Sequence, residues 1–237
     1  MIRRLVTEVS VVSNKIVEPL TLAVVSDLHN RDYQDVMPRL EQADAILIVG
    51  DLVNRHRKGF ENAVRFLRDA SELAPTFYAI GNHEWKFKRR AEYWPHVERS
   101  RVTVLDNRFL PFRGILLGGL SSAPRGKVDA SFLSEADGDP SFKLLMCHQP
   151  EYFQSYVWAH DVDLTVAGHA HGGQVQLMGR GVYAPDQGLF PRWTNGFYFD
   201  GRLLVSRGMT NSAWAPRVNN PCELILLRLQ KDSKHEE

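Results

Sequence analysis

Side chains of the types that bind metal ions follow five short apolar runs of the sequence. Asp27 comes directly after Leu20–Ser26, and His148 comes directly after Lys143–Cys147. In an α/β sheet the carboxyl ends of the strands converge on the crevice where ligands bind. If the runs are strands, the polar residues that follow them therefore meet at one edge of the fold. These residues are Asp27, His29, Asp51, Asn82, His83, His148, His169 and His171.

The residue types favour a pair of metal ions. Carboxylate and imidazole groups suit manganese, iron, zinc and similar divalent ions, and neither cysteine has the spacing of a structural zinc site. Two ions roughly 3.5–4 Å apart can share a carboxylate and clamp the attacking and leaving oxygens of a phosphoryl displacement. Taken singly, an Asp after a strand caps a turn or a helix, and a glycine marks a sharp turn. Those explanations do not account for recurrence at the same end of successive strands.

Apolar runs with helical stretches between them indicate an α/β fold. Short β-branched runs bounded by Gly, Asp or Pro predict buried strands, and Tyr33–Gln42 and Gly59–Leu73 predict helices. The first half therefore predicts βαβ units. In the second half strands follow one another, and the last pair, around Phe197–Ser206 and Glu223–Leu229, is predicted to be antiparallel. We expect two mixed β-sheets packed together with helices outside, in a single domain over residues 1–237.

The composition is that of an ordinary globular protein. Hydrophobic residues make up 43% of the 237 and charged residues 24%, and the formal net charge of +1 gives no strong field for nucleic acid. Two cysteines outside a CxxC pair do not form a disulfide framework. No window reaches the roughly 20 apolar residues that a membrane helix needs. We expect a cytoplasmic protein, and peripheral contact with a membrane stays open.

The motifs, in their order, resemble the calcineurin-like metallophosphoesterase superfamily. The pattern of that superfamily is D-x-H, GD, GNH(E/D), a single His and GHxH. The corresponding residues here are Asp27-Leu28-His29, Gly50-Asp51, Gly81-Asn82-His83-Glu84, His148 and Gly168-His169-Ala170-His171. The resemblance implies a four-layer αββα sandwich, an α/β (α+β) fold in which two mixed β-sheets are flanked by helices.

The resemblance also implies a role for each residue. Asp51 bridges two divalent ions, with manganese expected first and iron, zinc, magnesium or calcium as alternatives. His83 is not a ligand and resembles the catalytic histidine of the family, which protonates the leaving oxygen or steadies the phosphoryl charge. Asp27 or a neighbour such as Glu84 would orient His83. The remaining ligands are Asp27, His29 and His171 for the first ion, and Asn82, His148 and His169 for the second.

The implied activity is metal-dependent hydrolysis of a phosphodiester or pyrophosphate bond. A metal-bridging hydroxide attacks phosphorus, and His83 assists the leaving group. The expected substrate is a small phosphodiester or a lipid- or nucleotide-linked phosphate. The alternatives are a phosphomonoesterase or phosphoprotein phosphatase, and a non-catalytic scaffold of the same fold, which the complete ligand set disfavours. We expect no specific nucleic acid and no obligate protein partner.

Segments downstream of the histidines resemble a bacterial branch of small phosphodiesterases, which includes relatives that cleave UDP-2,3-diacylglucosamine. These segments are Gly172-Gly173-Gln174, Gln187–Pro191, Ser206-Arg207-Gly208 and Asn219-Asn220-Pro221. The chain departs from the common form of this branch without losing a ligand. The departures are Ala170, Asn54, Met209-Thr210-Asn211 and Cys222.

Three features are candidates for substrate contact. Residues 85–101 carry six Lys or Arg against two Glu, with aromatic residues between them. They form either a solvated amphipathic helix or a basic lip for an anionic lipid or a phosphate. Phe190 and Trp193, in the loop Tyr183–Asn195, either bind substrate or pack across the edge of the sandwich. Arg125 either contacts the phosphate of a substrate or is only a solvated side chain in a surface turn.

Overall fold

The computed structural model describes residues 4–124, 127–211 and 216–232. The strands of these residues form two six-stranded sheets and two small hairpins. The strands are β1 Leu5–Ser13, β2 Leu20–Val25, β3 Ala45–Val49, β4 Thr76–Ala79, β5 Thr103–Val104, β6 Arg108–Phe112, β7 Ile115–Leu120, β8 Phe142–Cys147, β9 Leu164–Ala167, β10 Gln176–Leu177, β11 Arg180–Gly181, β12 Tyr183–Ala184, β13 Gly188–Leu189, β14 Gly196–Tyr198, β15 Leu203–Val205 and β16 Glu223–Lys231.

The first sheet has the order β1-β16-β2-β3-β4-β5. β2, β3, β4 and β5 are parallel, as the βαβ prediction requires. β16 pairs parallel with β1 and antiparallel with β2. The predicted antiparallel pair of the last two strand regions is therefore wrong, because β15 belongs to the other sheet. Both regions are apolar, and neither pattern says which sheet a strand joins.

The second sheet has the order β14-β15-β9-β8-β7-β6. Its four inner strands are parallel, and an antiparallel strand closes each edge. β14 and β15 form an antiparallel pair within residues 196–205. Both sheets are therefore mixed, as predicted.

Alternate residues of the central strands fill different layers. On β3, Leu47 faces the apolar layer between the two sheets, whereas Ile46 and Ile48 face the helices. On β8, Leu144 lies in the layer between the sheets and Leu145 lies in the layer on the far side. Successive strand side chains point to opposite faces, so strands that are apolar throughout indicate sheets covered on both sides.

Helices cover the outer face of the first sheet, and shorter helical turns cover the second. Phe66, Leu67 and Ala70 of the helix Glu61–Leu73 are buried against the first sheet. Against the second sheet lie a 3-10 turn and a π-helical turn, at Ser131–Glu135 and Phe153–Val157. The fold is thus the expected α/β sandwich with two mixed sheets. Its helices are α1 Met37–Leu40, α2 Glu61–Leu73, α3 Asn82–Trp85 and α4 Arg90–Arg99.

The helix predicted at Tyr33–Gln42 is much shorter in the structure. The Asp32 carboxylate accepts hydrogen bonds from the backbone N–H groups of Tyr33 and Gln34, which makes a side-chain-closed turn. Pro38 then stands in the first turn of α1, where a missing N–H costs nothing. Within the described residues there is no helix with the length and apolar character needed to cross a membrane.

Candidate metal centre

The predicted metal ligands lie in loops that follow five strands. Asp27 and His29 follow β2, Asp51 follows β3, and Asn82 follows β4 in the first sheet. The second sheet contributes His148 after β8, and His169 and His171 after β9. The parallel strands of both sheets point the same way along the sandwich, so the loops of the two sheets meet at one edge. The structure therefore brings together residues that are up to 144 positions apart in the sequence.

Asp27 is the centre of the first group. Its Oδ1 lies 3.5 Å from His171 Nε2, 3.6 Å from His29 Nε2 and 4.0 Å from His148 Nε2. One ligand atom from each of Asp27, His29 and His171 lies within 4.8 Å of the others. This is the spacing that a single bound cation needs.

Asp51 lies between this group and a second one. Its Oδ2 is 3.1 Å from His148 Nε2 and 4.0 Å from His29 Nε2. Asp51, His148 and His169 also have ligand atoms within 4.8 Å of one another. One carboxylate is thus within reach of histidines from both groups, as a shared ligand would be. Asn82, which is 8% exposed, lines a cavity together with Asp51 and His169.

Four buried polar atoms at this position have no hydrogen-bond partner among the described residues. They are Asp27 Oδ1, His29 Nε2, Asn82 Oδ1 and His148 Nε2. Buried polar groups in proteins are nearly always paired, so several unpaired acceptors at one place indicate a site that can bind a cation. All four belong to the predicted ligand set, and the residues therefore fit bound divalent ions.

Backbone carbonyl groups orient three of the histidines. The Nδ1 atoms of His148, His29 and His171 lie 2.7, 3.2 and 3.2 Å from the carbonyl oxygens of Val49, Val53 and Thr210. An Nδ1–H that donates to a carbonyl leaves a lone pair on Nε2, the atom of His148 and His29 that faces Asp51 or Asp27. This arrangement is the usual support of a metal-binding histidine. His171 Nδ1 also lies 3.1 Å from the Arg217 guanidinium, which can only donate.

The buried charges favour cation binding. Burial alone would raise the pKa of Asp51, but the neighbouring His148 and His83 hold it well below its ordinary value. Burial alone would also raise the pKa of Asp27, but His171 and His29 lower it below its ordinary value. Burial lowers the pKa of His171 to about 3, so this ring is neutral at pH 7 and carries a lone pair. Two ionised carboxylates and a neutral imidazole are a suitable ligand set for a divalent ion.

The ligand-bearing turns use a rare backbone conformation. Asp27, His29, Asp51, His169 and His171 all have positive φ, between 48° and 66°. Non-glycine residues seldom adopt this region, and such strain clusters at functional sites. A Cβ at Gly81 would lie 2.3 Å from Asp51 Oδ1, so glycine is required where the turn before Asn82 passes Asp51.

Glu84 supports the backbone of the site instead of orienting His83. Its Oε2 accepts hydrogen bonds from Asp51 N (2.8 Å) and Gly81 N (2.9 Å), and its Oε1 accepts one from Val53 N (3.2 Å). The His83 ring is held differently, because the backbone N–H of Arg55 donates to His83 Nδ1 at 3.2 Å. The sequence pattern indicated neither contact, since both involve backbone groups of another loop.

We expect Glu84→Gln to lower metal affinity by about 10- to 100-fold, the usual cost of removing a group that supports metal ligands. The glutamine amide would place its own N–H donors against the backbone donors that Glu84 now accepts. Calorimetric titration of the metal-free protein with Mn²⁺ would measure the change. Glu92→Gln, at an exposed position on α4, is the matched control. Equal affinity in both variants would refute the supporting role.

The candidate centre opens into a cavity of about 240 Å³. Basic residues line it together with four of the predicted ligands, Asp51, Asn82, His169 and His171. Asp186 also lines it and places its Oδ2 3.1 Å from His169 Nε2. The sequence indicated the loop that carries Asp186 by its aromatic residues, and this acidic residue was missed. The lining residues outside the predicted set are Arg55, His56, Lys86, Tyr183, Pro185 and Asp186.

The predicted substrate-binding residues lie apart from this cavity or outside the described residues. Phe190 is 78% exposed and lines a separate hollow with Arg180 and Arg192. Trp193 packs beside Phe199, with ring centroids 5.7 Å apart, against the core of the second sheet. Arg125 lies outside the described residues.

Comparison with known proteins finds metallophosphoesterases and a phosphodiesterase among the relatives of this chain. The chain is 28% identical over 229 residues to an uncharacterised metallophosphoesterase of Campylobacter jejuni, covering 89% of this chain and 59% of that protein. A metallophosphoesterase of Helicobacter pylori is 25% identical over 185 residues, covering 72% of this chain and 49% of that one. The phosphodiesterase YaeI of Escherichia coli is 27% identical over 206 residues, covering 80% and 71%. The chain thus spans about half the length of the Campylobacter and Helicobacter relatives.

Among solved structures, a dimetal phosphatase from Danio rerio is 11% identical, with a TM-score of 0.45 and coverage of 80% of this chain and 87% of that chain. The sequence model for calcineurin-like phosphoesterases matches residues 20–173. That match contains all seven predicted ligands and most of both sheets. The chain therefore belongs to the calcineurin-like phosphoesterase family.

Proposed function

We propose that this protein is a metal-dependent phosphodiesterase. The observation that carries the proposal is the set of four unpaired buried ligand atoms. One of them belongs to Asn82, which lines a cavity together with Asp51, His169 and His171. A cavity lined by Arg55 and Lys86 beside such ligands suits a phosphate ester, because cationic side chains pair with phosphoryl oxygens. The name of the relative YaeI, a phosphodiesterase, supports the choice of a diester.

Two groups of residues would hold the metals. Asp27, His29 and His171 would hold one ion, and Asn82, His148 and His169 the other, with Asp51 between them; this assignment is part of the proposal. Divalent ions in these positions supply an activated water and neutralise charge on the phosphoryl group. Manganese is the ion we expect first, since carboxylate and imidazole ligands suit it.

His83 is placed to assist the leaving group. Its Nδ1 accepts the hydrogen bond from Arg55 N, so the neutral ring carries its proton on Nε2. Nε2 lies 3.8 Å from Asp51 Oδ2 and therefore faces the metal centre. The backbone N–H of His83 donates to Asp51 Oδ1 at 2.8 Å, which fixes the ring relative to the shared carboxylate. An N–H held there can donate a hydrogen bond to the departing oxygen and stabilise the negative charge that develops on it.

Metal removal tests the function. We expect the metal-stripped protein to lose hydrolysis of bis-p-nitrophenyl phosphate, and Mn²⁺ to restore it, because the activated water depends on the ions. The monoester p-nitrophenyl phosphate should be hydrolysed more slowly, because the cavity beside the metal centre has room for the second ester group of a diester. Comparable rates on both esters would favour a phosphomonoesterase. A protein that binds about two ions but hydrolyses neither ester would contradict the proposal.

A further inference from the structure

A second cavity, of about 400 Å³, adjoins the metal centre. Asn82, Lys86 and Asp186 line both cavities, so a substituent of a phosphate bound at the metals can enter the second one. The residues that distinguish it come from the segment after β8. They include Gln149, Glu151, Tyr152 and Tyr156.

Two residues that line this cavity carry buried acceptor atoms without a hydrogen-bond partner among the described residues. Both carboxylate oxygens of Glu151 are buried and have no hydrogen-bond partner among the described residues. Gln149, only 8% exposed, donates through Nε2 to Asp186 Oδ2 at 3.0 Å, which leaves its Oε1 buried and unpaired. A neighbouring donor, the Gln187 amide, already donates to the carbonyl oxygen of Trp193 at 2.8 Å. Gln149 and Glu151 therefore contribute three unpaired acceptor atoms.

Aromatic rings form the walls. The rings of Tyr152 and Tyr156 have centroids 5.3 Å apart and an interplanar angle of 81°. Tyr152 is held in place because its hydroxyl donates to the carbonyl oxygen of Ala123 at 3.3 Å. Trp85 lines the same cavity and is 42% exposed. Aromatic faces attract cations, and the Arg90 guanidinium already lies 5.1 Å from the centroid of the Trp85 ring.

A positively charged organic group satisfies both sets of residues. A buried carboxylate is costly unless it is well paired. Burial raises the pKa of Glu151, and the nearby His169 and Gln187 side chains lower it only in part. A neutral polyol would supply hydrogen bonds but would leave the charge unpaired. A bare metal ion fits less well, because Glu151 belongs to none of the three-residue ligand groups found among the described residues. An ammonium group pairs with the carboxylate and with the aromatic faces.

We propose that this cavity binds the ammonium group of a phosphodiester of an amino alcohol, such as a choline or ethanolamine ester. The proposal rests on the phosphodiesterase function of the adjoining centre. Glu151 supplies the counter-charge and Gln149 Oε1 a second acceptor. Lys86, on the side shared with the metal centre, lies where the phosphate of the same substrate would be.

Two substrates of nearly equal shape test the proposal. p-Nitrophenylphosphocholine carries the cation, and 3,3-dimethylbutyl p-nitrophenyl phosphate replaces nitrogen by carbon. Following all products by phosphorus NMR, we expect wild-type protein to favour the choline ester by about tenfold in kcat/KM. Glu151→Gln should bring this ratio close to one, whereas Glu135→Gln, at an exposed position, should keep it. Tyr156→Leu should lower the ratio in part.

Direct binding separates the subsite from the reaction. Calorimetric titration with choline, compared with 3,3-dimethylbutanol, requires no turnover and also serves if Glu151→Gln fails to fold. We expect wild-type protein to bind choline more tightly than the neutral alcohol. Equal binding of the two compounds, a ratio near one for wild-type protein, or a loss of bound metal in Glu151→Gln would overturn the proposal. Choline binding without hydrolysis of any diester would refute the proposed function and leave the subsite supported.

Discussion

Asp51→Asn is expected to lower diester hydrolysis by at least about 10³-fold, the scale seen when a central catalytic group is removed. Asp51 Oδ2 lies 3.1 Å from His148 Nε2 and 4.0 Å from His29 Nε2, between the two ligand groups. Asparagine has nearly the same shape but no charge, so the position of the shared ligand is kept while its attraction for two cations is lost. The measurement is kcat together with metal content by elemental analysis, which we expect to fall from about two ions to one or none.

Asp200→Asn is the matched control for Asp51→Asn. Asp200 is exposed in the turn between β14 and β15, far along the chain from the metal centre, and its positive φ of 52° is one that asparagine also adopts. We expect this variant to retain full activity and metal content. An Asp51→Asn protein with two bound ions and wild-type turnover would exclude Asp51 as a shared ligand.

His83→Ala is expected to lower kcat by about 10²- to 10⁴-fold while the metal content stays unchanged. His83 Nε2 faces the centre at 3.8 Å from Asp51 Oδ2, and its Nδ1 is occupied by the hydrogen bond from Arg55 N. In the proposed assignment the ring donates its Nε2–H to the leaving oxygen and holds no ion. Because a good leaving group needs little protonation, the loss should be smaller for p-nitrophenyl esters than for alkyl esters.

The comparison of leaving groups distinguishes proton donation from support of the fold. A merely structural role of His83 would lower all rates by the same factor, whatever the leaving group. His96→Ala, at an exposed position on α4, is the control and should leave both rates unchanged. An unaltered dependence on the leaving group, or a loss of metal in His83→Ala, would contradict the assignment of His83 as the proton donor.

The metal centre was predictable because its ligands stand at one repeated position. Asp27, Asp51, Asn82 and His148 each follow an apolar strand closely, so the sequence alone indicates that they share an edge of a sheet. Their division into two groups came from the family resemblance, whereas the ligand atoms of the described residues form three overlapping sets, one of which is His29, Asp51 and His83. That these atoms bind two ions in this way stays a prediction.

The residues that shape the substrate cavity were less accessible to sequence reasoning. Glu151 looks like any acidic residue after a His-Gln-Pro turn, and only its burial without a hydrogen-bond partner distinguishes it. Trp193 and Phe190 attracted attention by their size, but size does not say whether a ring faces a cavity, a core or solvent. The place of Glu223–Lys231 in the first sheet was also missed, because an apolar strand carries no sign of its neighbours.

The place of β16 has a consequence for how the chain matures on the ribosome. β16 lies between β1 and β2, and Thr7 on β1 bonds to Glu223 on β16, 216 residues later. Strands β2 to β5 can pair in the order in which they emerge, whereas β1 gains its neighbour only when β16 has been made. Thr210 Oγ1 also donates to the carbonyl oxygen of Asp27 at 2.8 Å, so the first ligand turn is secured by a late segment. In a nascent chain the turn that carries Asp27 therefore gains its full set of hydrogen bonds only after residues 203–231 have left the exit tunnel.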